Sequence, residues 1–361
     1  MDRRERLRRC YFHEETDRPA VYCRTGFPKD DPTYDNLKAY LQQHTELKGG
    51  WRDFKTMSGY TAESRKEPYS EDFERVVTTL HTPKGDLESS RLNSLKGQPG
   101  MHETYFIKTR EDAERYLSLP MPRLEGDCSS FQTAVAQMGD KGIVEAGLGS
   151  NPGGAVVVLC GSETFAMMTL SDRDIIHALC ERHLNITLDV AKFFLDHDIG
   201  PYFAMLGQEY IAPPLHGPKD FWDFNVKYDK PILDLIHDAG GAVHIHCHGS
   251  MKKVIQGFVE MGTDVLHPFE PPPMGDITPA EAKEIARGRM CLEGNIQINR
   301  MYEAAPKEIR AETEALIRDA FDDHKGLIVS PTASPYIRGE GETAFPQYKA
   351  MVDTVIEWKG T

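Results

Sequence analysis

The sequence lacks the features that mark several large classes of protein. It has no run of about 18 apolar residues, which excludes a conventional membrane-spanning helix. Its charged start, Met1 to Arg9, has no apolar core of the kind found in secretory signals, so the cytoplasm is the expected compartment. The seven cysteines are scattered without a Cys-x-x-Cys pair, which argues against a disulfide framework.

Basic clusters are scarce as well. Lys and Arg number 42 against 56 Asp and Glu, which gives a formal net charge of −14. The short N-terminal stretch is the longest basic run, so we expect no nucleic-acid binding. A strongly polyanionic substrate is disfavoured unless a local pocket supplies cations. The expected ligand is therefore a small molecule, and the sequence does not define an oligomeric state.

Three catalytic motifs are missing. There is no Gly-x-Ser-x-Gly elbow, so a hydrolase nucleophile is unsupported. No lysine follows a predicted strand, as it would in a Schiff-base enzyme built on a barrel. No Gly-x-Gly-x-x-Gly follows a strand, which weighs against a dinucleotide-binding fold. The stretch Gly147–Gly154 is a weak match only, and a flexible turn is its simpler interpretation.

The sequence does contain a regular alternation of strands and helices, clearest after residue 200. Short connections between such units are typical of a parallel sheet. The chain length and five units in a row favour an α/β fold of the (β/α)8 TIM-barrel type over an open doubly wound sheet. The predicted elements are strand Tyr202–Leu206, helix Lys219–Ala239, strand Ala242–Ile245, helix Ser250–Glu260, strand Asp264–His267, helix Pro279–Arg287, strand Met290–Leu292, helix Pro306–Asp322, strand Leu327–Val329 and helix Ala344–Glu357.

The first part of the chain departs from this alternation. A helix is predicted over Asp2–Phe12, and the alternating stretch Val76–Thr82, followed by a Gly-containing turn, predicts a β-hairpin. We therefore expect one barrel domain over residues 1–361. Its N-terminal helical and β-hairpin excursion would lie within about residues 1–125, and the regular β/α units would fill 126–361. Ser171 is the expected N-cap of a long helix, Asp172–Asp196.

The most informative segment is Gly241–Gly249, where a predicted strand ends in three histidines and one cysteine. Side chains alternate along a strand, so His246 and His248 point to one side and Cys247 to the other. His244 shares the histidine side but lies deeper in the strand, where a hydrogen-bonded core role is expected. A same-side His-x-His pair can bind one metal ion; a hydrogen-bonded pair without metal is the alternative.

Polar side chains follow nearly every predicted strand. A barrel gathers these strand exits around one mouth, which makes them candidates for the same site. Glu209 is a candidate metal ligand or general acid/base, with capping of a helix as the alternative. Glu270 is also a candidate metal ligand or general acid/base. Asn295 is a candidate for orienting a substrate carbonyl or carboxylate. The other candidates for substrate binding are Arg24, Tyr336 and Arg338.

With these segments in place, the sequence resembles the uroporphyrinogen decarboxylase superfamily. That superfamily contains haem-pathway decarboxylases and zinc-dependent, corrinoid-linked methyltransferases, and the resemblance implies a (β/α)8 barrel. The turn Thr82–Gly85 is similar to a hairpin turn of the methyltransferase-like branch. The resemblance is carried by Pro214–Tyr228, His246–Gly249, Leu292–Asn295, Leu327–Pro331 and Phe345–Met351.

The two branches imply different site residues. The decarboxylases use an N-terminal Arg-Gln-Ala-Gly-Arg-Tyr motif, whose arginines meet the substrate carboxylates; the corresponding stretch here, Arg24–Pro28, keeps one arginine. The methyltransferases bind zinc through a His-x-Cys pair after the same strand and a later Cys. These three positions hold His246, His248 and Ala333 in this sequence.

Three hypotheses follow from this resemblance. In the first, a metal-dependent methyltransferase moves a methyl group between a small substrate and a corrinoid (cobalamin) on a partner protein, with zinc or another divalent metal on His246, His248 and Glu209. In the second, a metal-free decarboxylase acts on a porphyrinogen or another carboxylated substrate. Arg24 would then hold the carboxylate, and His246 or His248 would donate the proton. In the third, a non-catalytic barrel recognises a tetrapyrrole or a corrinoid protein.

Overall fold

The computed structural model describes residues 1–97 and 99–360. Its N-terminal part combines two barrel strands with helices and additional strands. In chain order these are α1 (Arg3–Tyr11), β1 (Ala20–Val21), α2 (Asp35–His44), β2 (Leu47–Trp51), β3 (Lys55–Met57), β4 (Ala62–Pro68), β5 (Phe73–Leu80), β6 (Leu87–Ser94), β7 (Met101–Thr104), α3 (Arg110–Leu117), β8 (Arg123–Glu125) and α4 (Ser129–Met138).

The remainder alternates strands and helices, as the sequence predicts. Its elements are β9 (Gly142–Ser150), α5 (Pro152–Cys160), α6 (Ser162–Ser171), α7 (Arg173–Asp196), β10 (Tyr202–Leu206), α8 (Pro218–Phe221), α9 (Lys227–Asp238), β11 (Ala242–His246), α10 (Ile255–Met261), β12 (Val265–His267), α11 (Pro279–Ala286), β13 (Cys291–Ile296), α12 (Arg300–Glu303), α13 (Pro306–Ala320), β14 (Leu327–Pro331) and α14 (Gly341–Glu357).

Eight parallel strands form one curved sheet in the order β1-β14-β13-β12-β11-β10-β9-β2. The two outer strands, β1 and β2, meet through Glu46, the residue before β2, whose backbone N donates to Val21 O over 3.0 Å. The predicted (β/α)8 barrel is therefore confirmed, and the C-terminal ends of its strands share one mouth.

Helix α1 covers the opposite end of the barrel. Its buried residues Leu7, Cys10 and Tyr11 pack against a second apolar cluster, separate from the main core. The residues on the barrel side of this cluster lie early in their strands. They are Ala20, Ile143, Tyr202, Ala242, Val265, Cys291 and Ile328.

The N-terminal excursion is a four-stranded antiparallel sheet in the order β4-β5-β6-β7. The predicted hairpin is confirmed as β5 and β6, which pair from Phe73 opposite Ser94 to Leu80 opposite Leu87. Strands β4 and β7 have no counterpart in the sequence prediction. Their side chains are almost all exposed, so they lack the alternation of apolar and polar residues on which such a prediction depends.

Two local predictions are wrong. Ser171 is the last residue of α6 rather than the N-cap of α7, and Asp172 alone separates the two helices. The stretch after Gly147 is not a flexible turn, because β9 continues to Ser150 and the Asn151 side chain then accepts a hydrogen bond from Gly154 N at the start of α5. A Cβ at Gly154 would lie 2.7 Å from Gly207 O, which explains the glycine there.

The predicted helix Lys219–Ala239 is also different in detail. It begins as α8, passes through a π-helical segment at Trp222–Val226 and continues as α9. In the described part of the chain, no single helix has the length and apolar character needed to cross a membrane. Helices α5 and α6 meet the criterion only when taken together, and they are bent by 107°.

Candidate functional site

A cavity of about 430 Å³ opens at the mouth of the barrel. Its volume lies within the range of small-molecule sites. Most of its walls are the last residues of barrel strands or the residues that follow them. The polar and charged side chains that line it are Tyr22, Arg24, Thr25, Lys48, Arg52, Glu145, His244, His246 and Ser334.

One wall of the cavity holds a guanidinium group against two histidines. His246 ends β11 and lies in register with His267 at the end of β12, so the two Nδ1 atoms are 2.9 Å apart. Arg24, three residues after β1, places Nη1 2.9 Å from His246 Nδ1 and 3.4 Å from His267 Nδ1. His267 donates Nε2–H to Pro331 O over 3.2 Å, which leaves its Nδ1 as an acceptor.

Both of these imidazoles are neutral near neutral pH. Burial, and next the positive charge of Arg24, lowers the pKa of His246 to about 3. Burial, followed by the neighbouring His246 and Arg24, lowers the pKa of His267 well below its usual range. Neither ring therefore carries an extra proton to give to a substrate at neutral pH.

The deepest part of the cavity is a buried cluster of five side chains, which we call the carboxyl floor: Tyr11, Lys48, Glu145, His244 and Glu293. Lys48 Nζ pairs with the Glu293 carboxylate and lies 3.9 Å from Glu145 Oε1. Tyr11 donates its hydroxyl to Glu145 Oε1. His244 approaches Glu145 Oε1 at 3.4 Å and Glu293 Oε2 at 3.7 Å. Burial raises the pKa of Glu145 and lowers that of His244.

His248 and Glu270 lie next to one another at the mouth. The His248 side chain is 40 % exposed, and its Nδ1 is 3.2 Å from Glu270 Oε2. Its ring stands edge-on to that of His246, with centroids 4.8 Å apart. The predicted pair therefore meets, whereas Cys247 is fully buried in the core on the other side of the strand. His244 is buried deeper in the barrel, as the strand alternation predicts.

The other candidate residues lie further from this cavity or on its edge. Glu209 is in a short 3₁₀ turn, and its carboxylate accepts from Gly207 N over 3.2 Å. Asn295 is 5 % exposed, its Nδ2 has no described partner, and it lines a separate cavity of about 310 Å³. Tyr336 is 60 % exposed and packs on Tyr302, and Arg338 is exposed. Neither Tyr336 nor Arg338 lines the main cavity.

The donor atoms do not converge as a resident metal site requires. Over residues 1–97 and 99–360, no three His, Cys, Asp or Glu side chains are close enough together to hold one ion. The Nδ1 atom of His246 faces the positively charged Arg24 rather than open space. Cys247 is fully buried in the core on the other side of the strand, so its thiol cannot join the two histidines. As arranged, the residues do not fit a three-ligand metal centre.

The sequence prediction missed Lys48, Arg52 and Tyr11. Lys48 lies in β2, whose sequence Leu-Lys-Gly-Gly-Trp has two glycines and resembles a turn. The apolar residues at its two ends, Leu47 and Trp51, were the available signal. Tyr11 belongs to a helix before the first strand, and only the closed barrel places it under the cavity.

A second polar network lies next to the mouth, where the ends of β9 and β10 meet α9. Asp229 on α9 is fully buried and accepts hydrogen bonds from Asn151 Nδ2 and Gln208 Nε2, the latter over 2.9 Å. Asn151 also donates to Asn225 Oδ1 over 2.8 Å. Burial raises the pKa of Asp229 to about 7. This network fixes the exits of two barrel strands against α9.

Comparison with known proteins agrees with this architecture. The family model described as uroporphyrinogen decarboxylase (URO-D) matches residues 96–358. A methyltransferase from Methanosarcina mazei is similar over 99% of both chains, with 13% identity and a TM-score of 0.62, which shows a shared fold. No curated protein matches the chain.

Two further solved structures are similar over smaller parts. A dihydropteroate synthase from Anaplasma phagocytophilum covers 45% of this chain and 64% of its own, with 15% identity and a TM-score of 0.30. A D-psicose 3-epimerase covers 64% of this chain and 83% of its own, with 13% identity and a TM-score of 0.36. Similarities this weak carry no functional argument.

Proposed function

The chain belongs to the uroporphyrinogen decarboxylase family, and from that premise we propose that it is an enzyme that removes a carboxyl group from a small substrate at the barrel mouth. The observation that supports this proposal is Arg24. Its guanidinium lies at the cavity wall against His246 and His267. Within the described residues it forms no ion pair with a carboxylate.

An unpaired guanidinium in a partly closed cavity is suited to a carboxylate ligand. Arginine presents two parallel N–H groups that match the two carboxylate oxygens, and such charge-assisted bonds are the stronger kind. Arg52 adds a second cation at the rim, where Nη1 donates to Gly147 O over 2.9 Å. The neutral rings of His246 and His267 support Arg24 without adding a competing charge.

The reaction requires the substrate to accept an electron pair and then a proton. When CO₂ leaves, the electrons of the broken C–C bond remain on the substrate carbon, and a carbonyl or ring of the substrate itself must stabilise them. A new C–H bond then forms with a proton from the enzyme. The role of this chain is to hold the carboxylate, exclude water and supply that proton.

We expect Arg24→Ala to weaken carboxylate binding about 10- to 100-fold, because it removes a charge-assisted pair of hydrogen bonds. The measurement is CO₂ release from a panel of short aliphatic and aromatic carboxylates, with KM and kcat determined separately. Arg310→Ala is the matched control, since Arg310 pairs with Glu357 on the surface. An Arg24→Ala enzyme with unchanged KM would contradict the proposal. Binding without turnover by the unaltered protein would favour the non-catalytic alternative.

Corrinoid-linked methyl transfer is the second candidate. The full-length similarity to the Methanosarcina mazei methyltransferase favours it, as does the position of His246 at the end of β11. It calls for zinc or another divalent metal on His246, His248 and Glu209, and for a cobalamin on a partner protein. Elemental analysis of the native protein tests it, together with demethylation of methylcobalamin. Stoichiometric metal that is lost in both His246→Ala and His248→Ala would favour methyl transfer over decarboxylation.

A further inference from the structure

The carboxyl floor contains one more acidic group than it has cations to pair with. Glu145 and Glu293 share the single ammonium group of Lys48. His244 is buried and its Nε2 has no hydrogen-bond partner among the described residues, so this site is poorly suited to a second positive charge. Two ionised carboxylates with one lysine would leave a net negative charge buried beneath the cavity, which is costly. One proton held by the pair removes that charge.

The contacts leave one oxygen of Glu145 free to carry this proton. Tyr11, Lys48 and His244 all approach Oε1 of Glu145, which leaves Oε2 without a described protein partner. Glu145 itself lines the cavity. Glu293 is fully buried behind it; its Oε2 contacts Lys48, and its Oε1 has no partner within residues 1–97 and 99–360.

We propose that Glu145 and Glu293, the two carboxyl groups next to Lys48, hold one proton between them. We further propose that Glu145 is the catalytic acid that gives this proton to the substrate. The role of Glu145 rests on the proposed decarboxylation. In that step the C–C bond to the departing CO₂ breaks, its electron pair stays on the substrate carbon, and the Glu145 O–H bond breaks as the C–H bond forms. Glu145 is left as a carboxylate and regains its proton from water.

His246 and His267 are less suited to the role of proton donor. His246 Nδ1 is already in contact with Arg24 at 2.9 Å and with His267 at 2.9 Å, so this atom does not face the cavity freely. Burial raises the pKa of Glu145, with Glu293 adding to the rise and Lys48, Tyr11 and Arg24 opposing it. A carboxyl group whose pKa is shifted toward neutrality is an effective general acid.

Infrared spectroscopy of the full chain tests the shared proton without any substrate. We expect a protonated-carboxyl band at neutral pH that shifts in D₂O and is absent from Glu145→Gln. Asp229→Asn is the matched control, because Asp229 is another buried carboxyl, with a pKa of about 7, and contributes its own band. After that contribution is subtracted, a wild-type spectrum without a band, or a band that survives in Glu145→Gln, overturns the proposal.

Turnover of the carboxylate panel tests the donor role. General acid catalysis contributes about 10²- to 10⁴-fold, so Glu145→Gln should lose at least about 100-fold in kcat with little change in KM. Glu145→Asp, which keeps an acidic group, should recover part of that loss. The pattern differs from that of Arg24→Ala, whose effect is expected mainly in KM.

The pH profile separates a shared proton from one that belongs to Glu145 alone. In the unaltered enzyme, kcat should fall as the pH rises through the pKa of the pair. In Glu293→Gln, Glu145 is the only carboxyl group left to pair with Lys48, so the pKa of Glu145 is lowered. The fall in kcat should then occur at lower pH. An unchanged profile overturns the sharing. CO₂ release that survives in Glu145→Gln overturns the donor role alone, whereas no CO₂ release by the unaltered protein overturns the decarboxylation and the donor role with it.

Discussion

Two buried charge clusters lie at different depths of the barrel, and they differ in how fully their charges are paired. Near the N-terminal ends of the strands, the Glu46 carboxylate accepts bonds from Arg6, from Arg18 at 2.9 Å and from Val21 N at 2.7 Å. Asp17 pairs with the other edge of the Arg6 guanidinium. Every atom of the Glu46 carboxylate has a partner, and the cluster does not border the cavity at the mouth.

The carboxyl floor shows the opposite pattern. It has two carboxyl groups for one lysine, and two of its buried atoms, His244 Nε2 and Glu293 Oε1, have no hydrogen-bond partner in the described part of the chain. Three of its members, Lys48, Glu145 and His244, also line the cavity. A fully paired buried cluster holds a fold together, whereas incomplete pairing next to a cavity is a mark of a functional site.

The largest expected effect tests the paired cluster. Glu46→Ala leaves Arg6 and Arg18 buried without their common carboxylate, so we expect the free energy of unfolding to fall by about 3–5 kcal/mol. Denaturant unfolding followed by circular dichroism measures this. The control is Glu15→Ala, which removes an exposed partner of Lys325 at 3.7 Å and should cost no more than about 1 kcal/mol. Equal losses in the two variants would show that the buried Glu46 cluster stabilises the fold no more than an exposed ion pair does.

Asp229 extends the comparison to a third buried carboxyl, one with neutral partners only. Its pKa is raised from 3.8 to about 7 on folding, so the folded protein keeps a proton that the unfolded chain releases. Stability should therefore fall as the pH rises from about 4 to about 7 and change no further above that. Urea unfolding across this range should show a shallower decline for Asp229→Asn. A decline as steep as in the unaltered protein would contradict the assignment.

The smallest expected effect is on the stability of the floor itself. Glu145→Gln keeps an acceptor for Tyr11 and leaves Lys48 paired with Glu293, so we expect the unfolding free energy to change by no more than about 1 kcal/mol. The same denaturant titration as for Glu46→Ala applies. A loss as large as that of Glu46→Ala would show that the carboxyl floor stabilises the fold as the Glu46 cluster does.

The sequence was sufficient to predict the barrel because strands β10 to β14 are short apolar runs separated by amphipathic helices. It also predicted that His246 and His248 lie on one side of their strand, since alternation follows directly from strand geometry. It grouped Arg24 with His246 at one mouth but could not predict their direct contact, 222 residues apart, because that contact depends on the path of the chain after β1. Lys48 was missed for a local reason: its strand contains two glycines and has weak strand propensity.

Glu46 has a mechanical consequence as well as an electrostatic one. Its backbone N–H and its carboxylate both bond to Val21, so one residue joins β2 to the two-residue strand β1. Elsewhere around the barrel, neighbouring strands pair at two to five positions, with five between β10 and β11 and two between β1 and β14. We therefore expect tension applied at the N-terminus to act first on the short pairings of β1, with Glu46 on one side and with two positions of β14 on the other, before the five-position pairings separate.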